Sequence, residues 1–271
     1  MPELPEVETT RRGIAPALLE RRVIDAVVRE RRLRWPIDKK FESAVKNQTV
    51  RRVERRAKYI LIGFDSGTAI VHLGMSGSLR LLQAGVRPRT HHHWDLELDS
   101  GQVLRFHDPR RFGSLIWTAG DPLLHPLLAK LAPEPLSKDF DAEYLHRATR
   151  KRAVAIKHLI MNSQIVVGVG NIYASEALFR ARISPRRAAR RITREESKAL
   201  VRAIKDVLSE AIEIGGTTLR DYVNAEGTPG YFAQRLYVYE RSKQPCRVCK
   251  SPIRQFTQGQ RSTYWCAACQ R

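Results

Sequence analysis

Two groups of residues in this sequence have the types and spacing to do chemistry. The first is the opening run Met1-Pro2-Glu3-Leu4-Pro5-Glu6. A small second residue favours removal of the initiator methionine, which would leave Pro2 as a secondary amine. An α-amino group titrates near 7.7–8.0, so about a tenth or more is deprotonated near neutrality. Such an amine attacks carbonyl-like carbons, and a secondary amine yields an iminium that is cationic without further protonation. Glu3 adjoins the nucleophile and Glu6 follows one turn on, so acid/base groups accompany it. The same residues also fit the plain start of a helix, where proline is tolerated and carboxylates complement the macrodipole. A retained Met1 would block the amine.

The second group is Cys246-x2-Cys249 and Cys266-x2-Cys269, with sixteen residues between the pairs. This is the spacing of a four-cysteine zinc site. Four thiolates fill a tetrahedral shell and leave no open position, so the expected ion is one structural Zn2+; a redox disulfide pair is the alternative. Between the pairs, Ile253–Phe256 and Ser262–Trp265 read as short strands around Gln258-Gly259-Gln260. That places Arg261 at or beside the hairpin tip, where it could clamp a phosphate or simply be solvated.

Other candidates need context. Lys58, at the entry to a strand, could contact phosphate or donate a proton, or simply decorate an edge. The turns His72–Gly77 and Asp108–Gly113 present Met75, Arg110 and Phe112. Apolar wedges beside an arginine are equipment for entering a base stack and filling a vacated position, unless Met75 and Phe112 fold inward as minor core. Val167-Gly168-Val169-Gly170-Asn171 is a glycine turn into a helix expected at 173–182, with Asn171 as its cap or as an added phosphate donor. Arg186-Arg187 and Arg190-Arg191 form a basic cluster before the next helix, or a solvated face.

The elements that must position these residues fall into two regimes. A helix is expected over 6–19. From about 22 to 117 the pattern turns short and alternating, with strands at Tyr59–Phe64, Thr68–Leu73, Ser78–Leu82, Val103–His107 and Ser114–Trp117. In His93–Leu98 the alternation sets Trp94, Leu96 and Leu98 on one face and His93, Asp95 and Glu97 on the other. These features predict an antiparallel sandwich or barrel. Beyond a proline-stiffened linker the period becomes helical. Thr193 and Glu196 form a capping box, and the apolar stripe Leu200–Ile212 stops at Gly215-Gly216. The expected division is a β domain over 1–131, a linker over 132–137, a helical domain over 138–235 and a zinc finger over 236–271.

Composition narrows the partners. The chain of 271 residues carries 48 Lys+Arg against 28 Asp+Glu, a net charge of +20. The halves 1–135 (23 basic, 16 acidic, +7) and 136–271 (25 and 12, +13) are both positive, which suits a groove better than a basic tail. Such a charge points to a polyanion, most simply duplex nucleic acid, with a solvated basic surface or an anionic membrane as alternatives. No apolar run spans a membrane and no secretory signal is present. The clustered cysteines argue for a reducing, cytoplasmic compartment, with a monomer as the default.

In combination and order, these motifs resemble the bacterial formamidopyrimidine-DNA glycosylases over essentially the whole chain. The carriers are Pro2–Thr9, Arg56–Tyr59, Gly74–Gly77, Asp108–Gly113, Val166–Glu176, Gly215–Leu219 with Pro229–Ala233, and the cysteine pairs. The resemblance implies an α+β protein: an N-terminal β-sandwich, a helical helix–two-turn–helix domain and a C-terminal four-cysteine zinc finger. It implies base excision repair of duplex DNA containing oxidised purines (8-oxoguanine, formamidopyrimidines) or abasic sites. Pro2 would attack C1′ of the damaged nucleotide and Glu3 would serve as acid/base at the ring oxygen, with β- and then δ-elimination following. Lys58 would match the proton donor and Arg261 the zinc-finger arginine. His91, Arg110, Arg152 and Asn171 would match DNA contacts, and Met75, Arg110 and Phe112 the void-filling set, with Arg110 reading the orphan cytosine. The segment Thr217–Tyr231 would cover the everted base. The run His91-His92-His93 leaves open which histidine meets phosphate. The related endonuclease VIII type, which prefers oxidised pyrimidines, and a non-catalytic binder of damaged DNA are the competing readings.

Overall fold

The computed structural model describes residues 2–216 and 232–271, arranged as two compact units. The first comprises residues up to 129 together with the described part of 214–233. Helix α1 (Leu4–Leu18) is followed by β1 (Val23–Val28), a short α2 (Phe41–Val45), β2 (Val50–Arg56), β3 (Tyr59–Phe64) and β4 (Gly67–His72). Then come β5 (Ser78–Gln83), β6 (His92–Leu98), β7 (Gln102–His107) and β8 (Ser114–Thr118). The strands form two four-stranded antiparallel sheets, in orders β1-β6-β7-β5 and β2-β3-β4-β8. The expected alternation therefore closes as a β-sandwich rather than a barrel. Trp94, Leu96, Leu104 and Phe106 from one sheet and Ile60, Ile62, Val71 and Leu115 from the other share one apolar core with Val7, Ile14 and Leu18 of α1. Helix α1 packs on β2, β3 and β5, and Arg11 and Arg55 fix it by donating to the Glu8 carboxylate at 2.8–3.1 Å.

One expectation for β6 needs correction. Alternation predicts His93 and Asp95 on an outer face, yet both are buried. Arg105 donates to Asp95 through Nε and Nη2 at 2.9 and 2.7 Å, and Arg29 adds a third contact. The two-face alternation itself holds, with Trp94, Leu96 and Leu98 in the core and Asp95 opposite Arg105 on the other face. That second face is covered rather than solvated, which a carboxylate satisfied in this way allows. Burial pushes the Asp95 carboxyl up, but the two guanidiniums outweigh it and hold it below its ordinary value.

The second unit spans 130–213 and 234–271. It contains α3 (Ala142–Thr149), α4 (Ile156–Ile160), α5 (Asn171–Arg180), α6 (Arg194–Glu213) and the hairpin β9 (Arg254–Gln258) and β10 (Arg261–Trp265). Helix α6 starts at the expected capping box: Thr193 N–H donates to Glu196 at 2.9 Å and Glu196 N–H to Thr193 Oγ1 at 3.2 Å. Its stripe from Leu200 to Ile212 is buried against α3 and α5. Among the described residues no helix is long and apolar enough to cross a membrane.

Candidate functional site

The N-terminal residues are held before any partner arrives. Glu3 stands at the N-cap of α1 and Glu6 at N3 of a capping box. The Glu3 N–H donates to Glu6 Oε2 at 2.7 Å. Pro2, Glu3 and Glu6 are all buried. Gly216 closes on this corner with φ +83°, and a Cβ there would lie 3.2 Å from Glu6 Oε1. A side chain at 216 would therefore meet both a left-handed backbone and the Glu6 carboxylate. The backbone bearing the amine and its neighbouring carboxylate is thus fixed by the same residues that start the helix.

The two turns carrying Met75, Arg110 and Phe112 are packed against each other, and glycine makes this possible. At Gly74 (φ +69°) a Cβ would come within 2.4 Å of Gly113 N, so the backbones touch where side chains would collide. Asp108, fully buried, ties the turns together. It accepts from Ser76 Oγ at 2.8 Å, Gly113 N–H at 2.8 Å and Arg110 N–H at 3.3 Å. Met75 is 39% exposed and Phe112 44%, so the inward-folded alternative does not hold. The Arg110 guanidinium lies 4.9 Å from the Phe112 ring centroid. Two apolar tips and a cation therefore project together from a rigid base. Asp108 is legible in the sequence only as part of a turn; its role as the common acceptor emerges once the turns meet.

Lys58 lies in the turn joining β2 and β3, half-buried, at the end of the sandwich where His72 pairs with Tyr59. Burial, together with the positive charges of Lys58 and Arg34, lowers the His72 pKa to about 4. Its Nδ1 accepts from Gly74 N–H at 2.9 Å, which requires that nitrogen unprotonated. The three consecutive histidines also separate. His93 is buried with Nε2 2.7 Å from Asp108 O, and His92 Nδ1 accepts from Arg89 N–H. His91, with φ +69°, is the exposed member.

In the second unit, the expected cap role of Asn171 is corrected. Gly170 is the N-cap, and Asn171 is the first residue of α5, which runs 171–180 rather than 173–182. The Asn171 side chain instead reaches the hairpin: Nδ2 donates to Ser262 O at 2.9 Å, and Oδ1 accepts from Lys157 Nζ at 2.7 Å. Lys157 is 1% exposed and also donates to Thr263 Oγ1 at 2.8 Å. This buried cation links α4, α5 and β10 immediately beside Arg261, so Asn171 and Arg261 share one frame. Its sequence signal is a lysine set inside the mostly apolar stretch Val154–Met161. Arg261 is exposed at the start of β10, after Gly259 and Gln260 turn the chain with φ +54° and +60°. Arg152 is exposed in the segment before α4. The segment Thr217–Tyr231 lies outside the described residues.

The four cysteine sulfurs all lie within 4.8 Å of one another, with Cys246–Cys269 at 4.0 Å and Cys249–Cys266 at 3.4 Å. Tetrahedral Zn–S bonds of about 2.3 Å require sulfur–sulfur edges of roughly 3.8 Å. The site fits one zinc ion with four protein ligands and no position for substrate. Glu176 of α5 anchors the approach to it, accepting from the N–H groups of Tyr237, Val238 and Tyr239 at 2.9 Å each. Full burial pushes its carboxyl above the ordinary range against the pull of those donors.

Comparison with known proteins agrees with this anatomy. Residues 1–115 match the formamidopyrimidine-DNA glycosylase N-terminal domain and 131–223 the formamidopyrimidine-DNA glycosylase H2TH domain. Residues 243–271 match the zinc finger found in FPG and IleRS. The chain is 59% identical to the formamidopyrimidine-DNA glycosylase of Thioalkalivibrio sulfidiphilus and 56% identical to that of Methylococcus capsulatus, each over 271 residues and the full length of both chains. Among solved structures it resembles the MutM (Fpg) protein of Thermus thermophilus, with TM-score 0.89 and 39% identity, covering 99% of this chain and 98% of that one. It also resembles the Lactococcus lactis Fpg in complex with DNA containing an abasic site, with TM-score 0.92 and 29% identity over 99% of each chain. With domain matches along its length and full-length relatives above half identity, the chain belongs to the formamidopyrimidine-DNA glycosylase family.

Proposed function

We propose that this protein is a bifunctional DNA glycosylase and abasic-site lyase that excises oxidised purines from duplex DNA in base excision repair. The observation that carries the reading is the buried Pro2-Glu3 pair, whose backbone is locked by Glu6 at the start of α1. A nucleophile fixed at this point draws no binding energy from the substrate for its own ordering.

Once Met1 is removed, the Pro2 nitrogen attacks C1′ of the damaged nucleotide and the glycosidic bond to the base breaks. Glu3 exchanges a proton at the sugar ring oxygen, the ring opens, and an iminium forms between Pro2 and C1′. The cationic iminium acidifies the C2′ proton, whose loss expels the 3′ phosphate; a second elimination expels the 5′ phosphate. Hydrolysis of the iminium then returns the amine. Lys58 is assigned as a proton donor and Arg261 as the phosphate grip during elimination. An everted base leaves a gap that costs a few kcal/mol in lost stacking. Met75 and Phe112 fill it and Arg110 reads the unpaired cytosine. His91, Asn171 and Arg152 hold backbone phosphates. The zinc ion, held by Cys246, Cys249, Cys266 and Cys269, keeps the hairpin that carries Arg261 folded and takes no part in bond making. The reading places the protein in the bacterial cytoplasm, acting on the nucleoid.

The test is excision from two duplexes, one with 8-oxoguanine opposite cytosine and one with thymine glycol, by protein confirmed by intact mass to lack Met1. Preferential release of 8-oxoguanine is expected. A strong preference for thymine glycol would move the protein to the pyrimidine-directed branch, and tight lesion binding without strand scission would make it a binder.

A further inference from the structure

The arginine run before α6 has no place in the chemistry above, and the structure divides it. Arg187 pairs with Glu196, donating to Oε2 at 2.9 Å, and reaches Arg191 O at 3.0 Å. Arg150 is engaged with Thr149 and the Ile192 carbonyl. Arg194 pairs with Glu143 at 3.2 Å. Arg186 lies over the Phe256 ring, 3.9 Å from its centroid. Arg190, Arg191 and Arg152 are different: all three are exposed, and among the described residues none of their guanidiniums has an ion-pair partner.

Backbone hydrogen bonds bring these three together. Arg190 N–H donates to Arg152 O at 2.9 Å and Ala189 N–H to Val154 O at 2.8 Å. Ala155 bridges to Ala188, and Ile156 N–H donates to Arg187 O at 2.8 Å. The paired segments run directly into α4, whose Lys157 holds Asn171. The arginines and Asn171 therefore ride on one hydrogen-bonded frame. Val154, two residues after Arg152, is half exposed on the same edge. Guanidiniums without an ion-pair partner have donors to spare, and a row of phosphates supplies both the counter-charge and the acceptor geometry that suits them.

We propose that Arg190 and Arg191 extend the phosphate contact assigned to Arg152 into a wider surface for the backbone of duplex DNA, apart from the residues that handle the lesion. The surface is blind to sequence and damage, so it contributes equally to undamaged and damaged duplex. This rests on the reading of the protein as a DNA enzyme, and adds Arg190 and Arg191 to its footprint.

The experiment is the salt dependence of affinity for a fluorescent undamaged duplex, between about 50 and 200 mM KCl, for the parent, Arg190→Gln/Arg191→Gln, and the charge-matched Lys39→Gln/Lys40→Gln. Each lost phosphate contact removes about 0.9 from the slope of log K against log salt, so a fall of about 2 is expected for the arginine pair, with affinity roughly tenfold weaker. The lysine pair, also exposed, is expected to leave the slope near the parent's. An unchanged slope in the arginine pair, or an equal fall in the lysine pair, overturns the proposal. An unaltered melting temperature verifies that the variants fold. Borohydride trapping of the parent reads the enzymatic assignment separately: it can succeed while the slope stays put, or fail while the slope drops.

Discussion

The sandwich and the cysteine hairpin solve the same problem by opposite means. In the sandwich, residues assigned to chemistry stand on turns above an apolar core that runs from α1 through both sheets. The core is large enough to fix those turns, and a buried carboxylate such as Asp108 needs only to select their conformation. Among the described residues the hairpin has no such core. Its apolar cluster is Phe179, Val238 and Ile253 with two of the cysteines, flanked by Tyr237 and Tyr264. Zinc, the Lys157–Asn171 network and the Glu176 clamp supply what burial cannot. Precision in one region comes from hydrophobic area, and in the other it is assembled from polar contacts and a metal, which can be removed singly.

Metal removal should separate the regions most sharply. A chelator, or Cys249→Ser, is expected to lower strand scission by two orders of magnitude or more, because a structural zinc contributes on the order of 10 kcal/mol to its module. Hydrogen exchange should show lost protection in β9 and β10 with β3, β4 and β7 still protected. Collapse of protection in both regions together would break the comparison.

The next largest effect falls on the sandwich turns. Asp108→Ala leaves Ser76 and the Gly113 and Arg110 N–H groups without their acceptor, and is expected to cost about 3 kcal/mol in urea unfolding. Asp108→Asn should recover part of that. Little change on Asp108→Ala would mean that the turns are held by packing alone.

Acid should weaken the sandwich in two stages. His72 ionises near 6.5 when unfolded but at about 4 when folded. Between those values the unfolded chain binds the extra proton, so stability rises with pH and is lost on acidification from 6.5 to 4. The full shift is worth at most about 3 kcal/mol. Glu8 and Asp95 are both held below their ordinary values, so their contribution is present above the unfolded carboxylate pKa and lost as pH falls through the folded one. Melting temperatures at pH 7, 5.5 and 4.5 check this (buffer values spanning the His72 window). In His72→Asn the first stage should flatten and the second remain. The smallest effect is local to α6: Thr193→Ala removes one side of the capping box and should cost about 1 kcal/mol.

What can be read from the sequence follows the same division. The cysteine pairs, the α6 capping box and strands such as Tyr59–Phe64 rest on local spacing, and local spacing survives folding. Asp95 keeps its place in the alternation, but its burial is not legible locally because the cation that satisfies it, Arg105, lies on the neighbouring strand. Asn171 resembles a helix cap in sequence because its partners, Lys157 and Ser262, are distant in the chain. Asp108 reaches Ser76, and Lys157 reaches Asn171 and Thr263, across stretches of chain that periodicity does not report. Pro2 and Glu3 are visible by chemical type, whereas their fixation by Glu6 and Gly216 requires the fold.

The central claim is that the amine of Pro2 becomes covalently joined to DNA. Borohydride reduces an iminium to a stable amine, so treatment of Met1-free protein with an 8-oxoguanine·cytosine duplex, followed by peptide mapping, tests it directly. The account predicts a lesion-dependent adduct on the peptide beginning at Pro2, absent with undamaged duplex. An adduct mapping to Lys58 or another lysine, or no adduct on either lesion or abasic duplex, would contradict it.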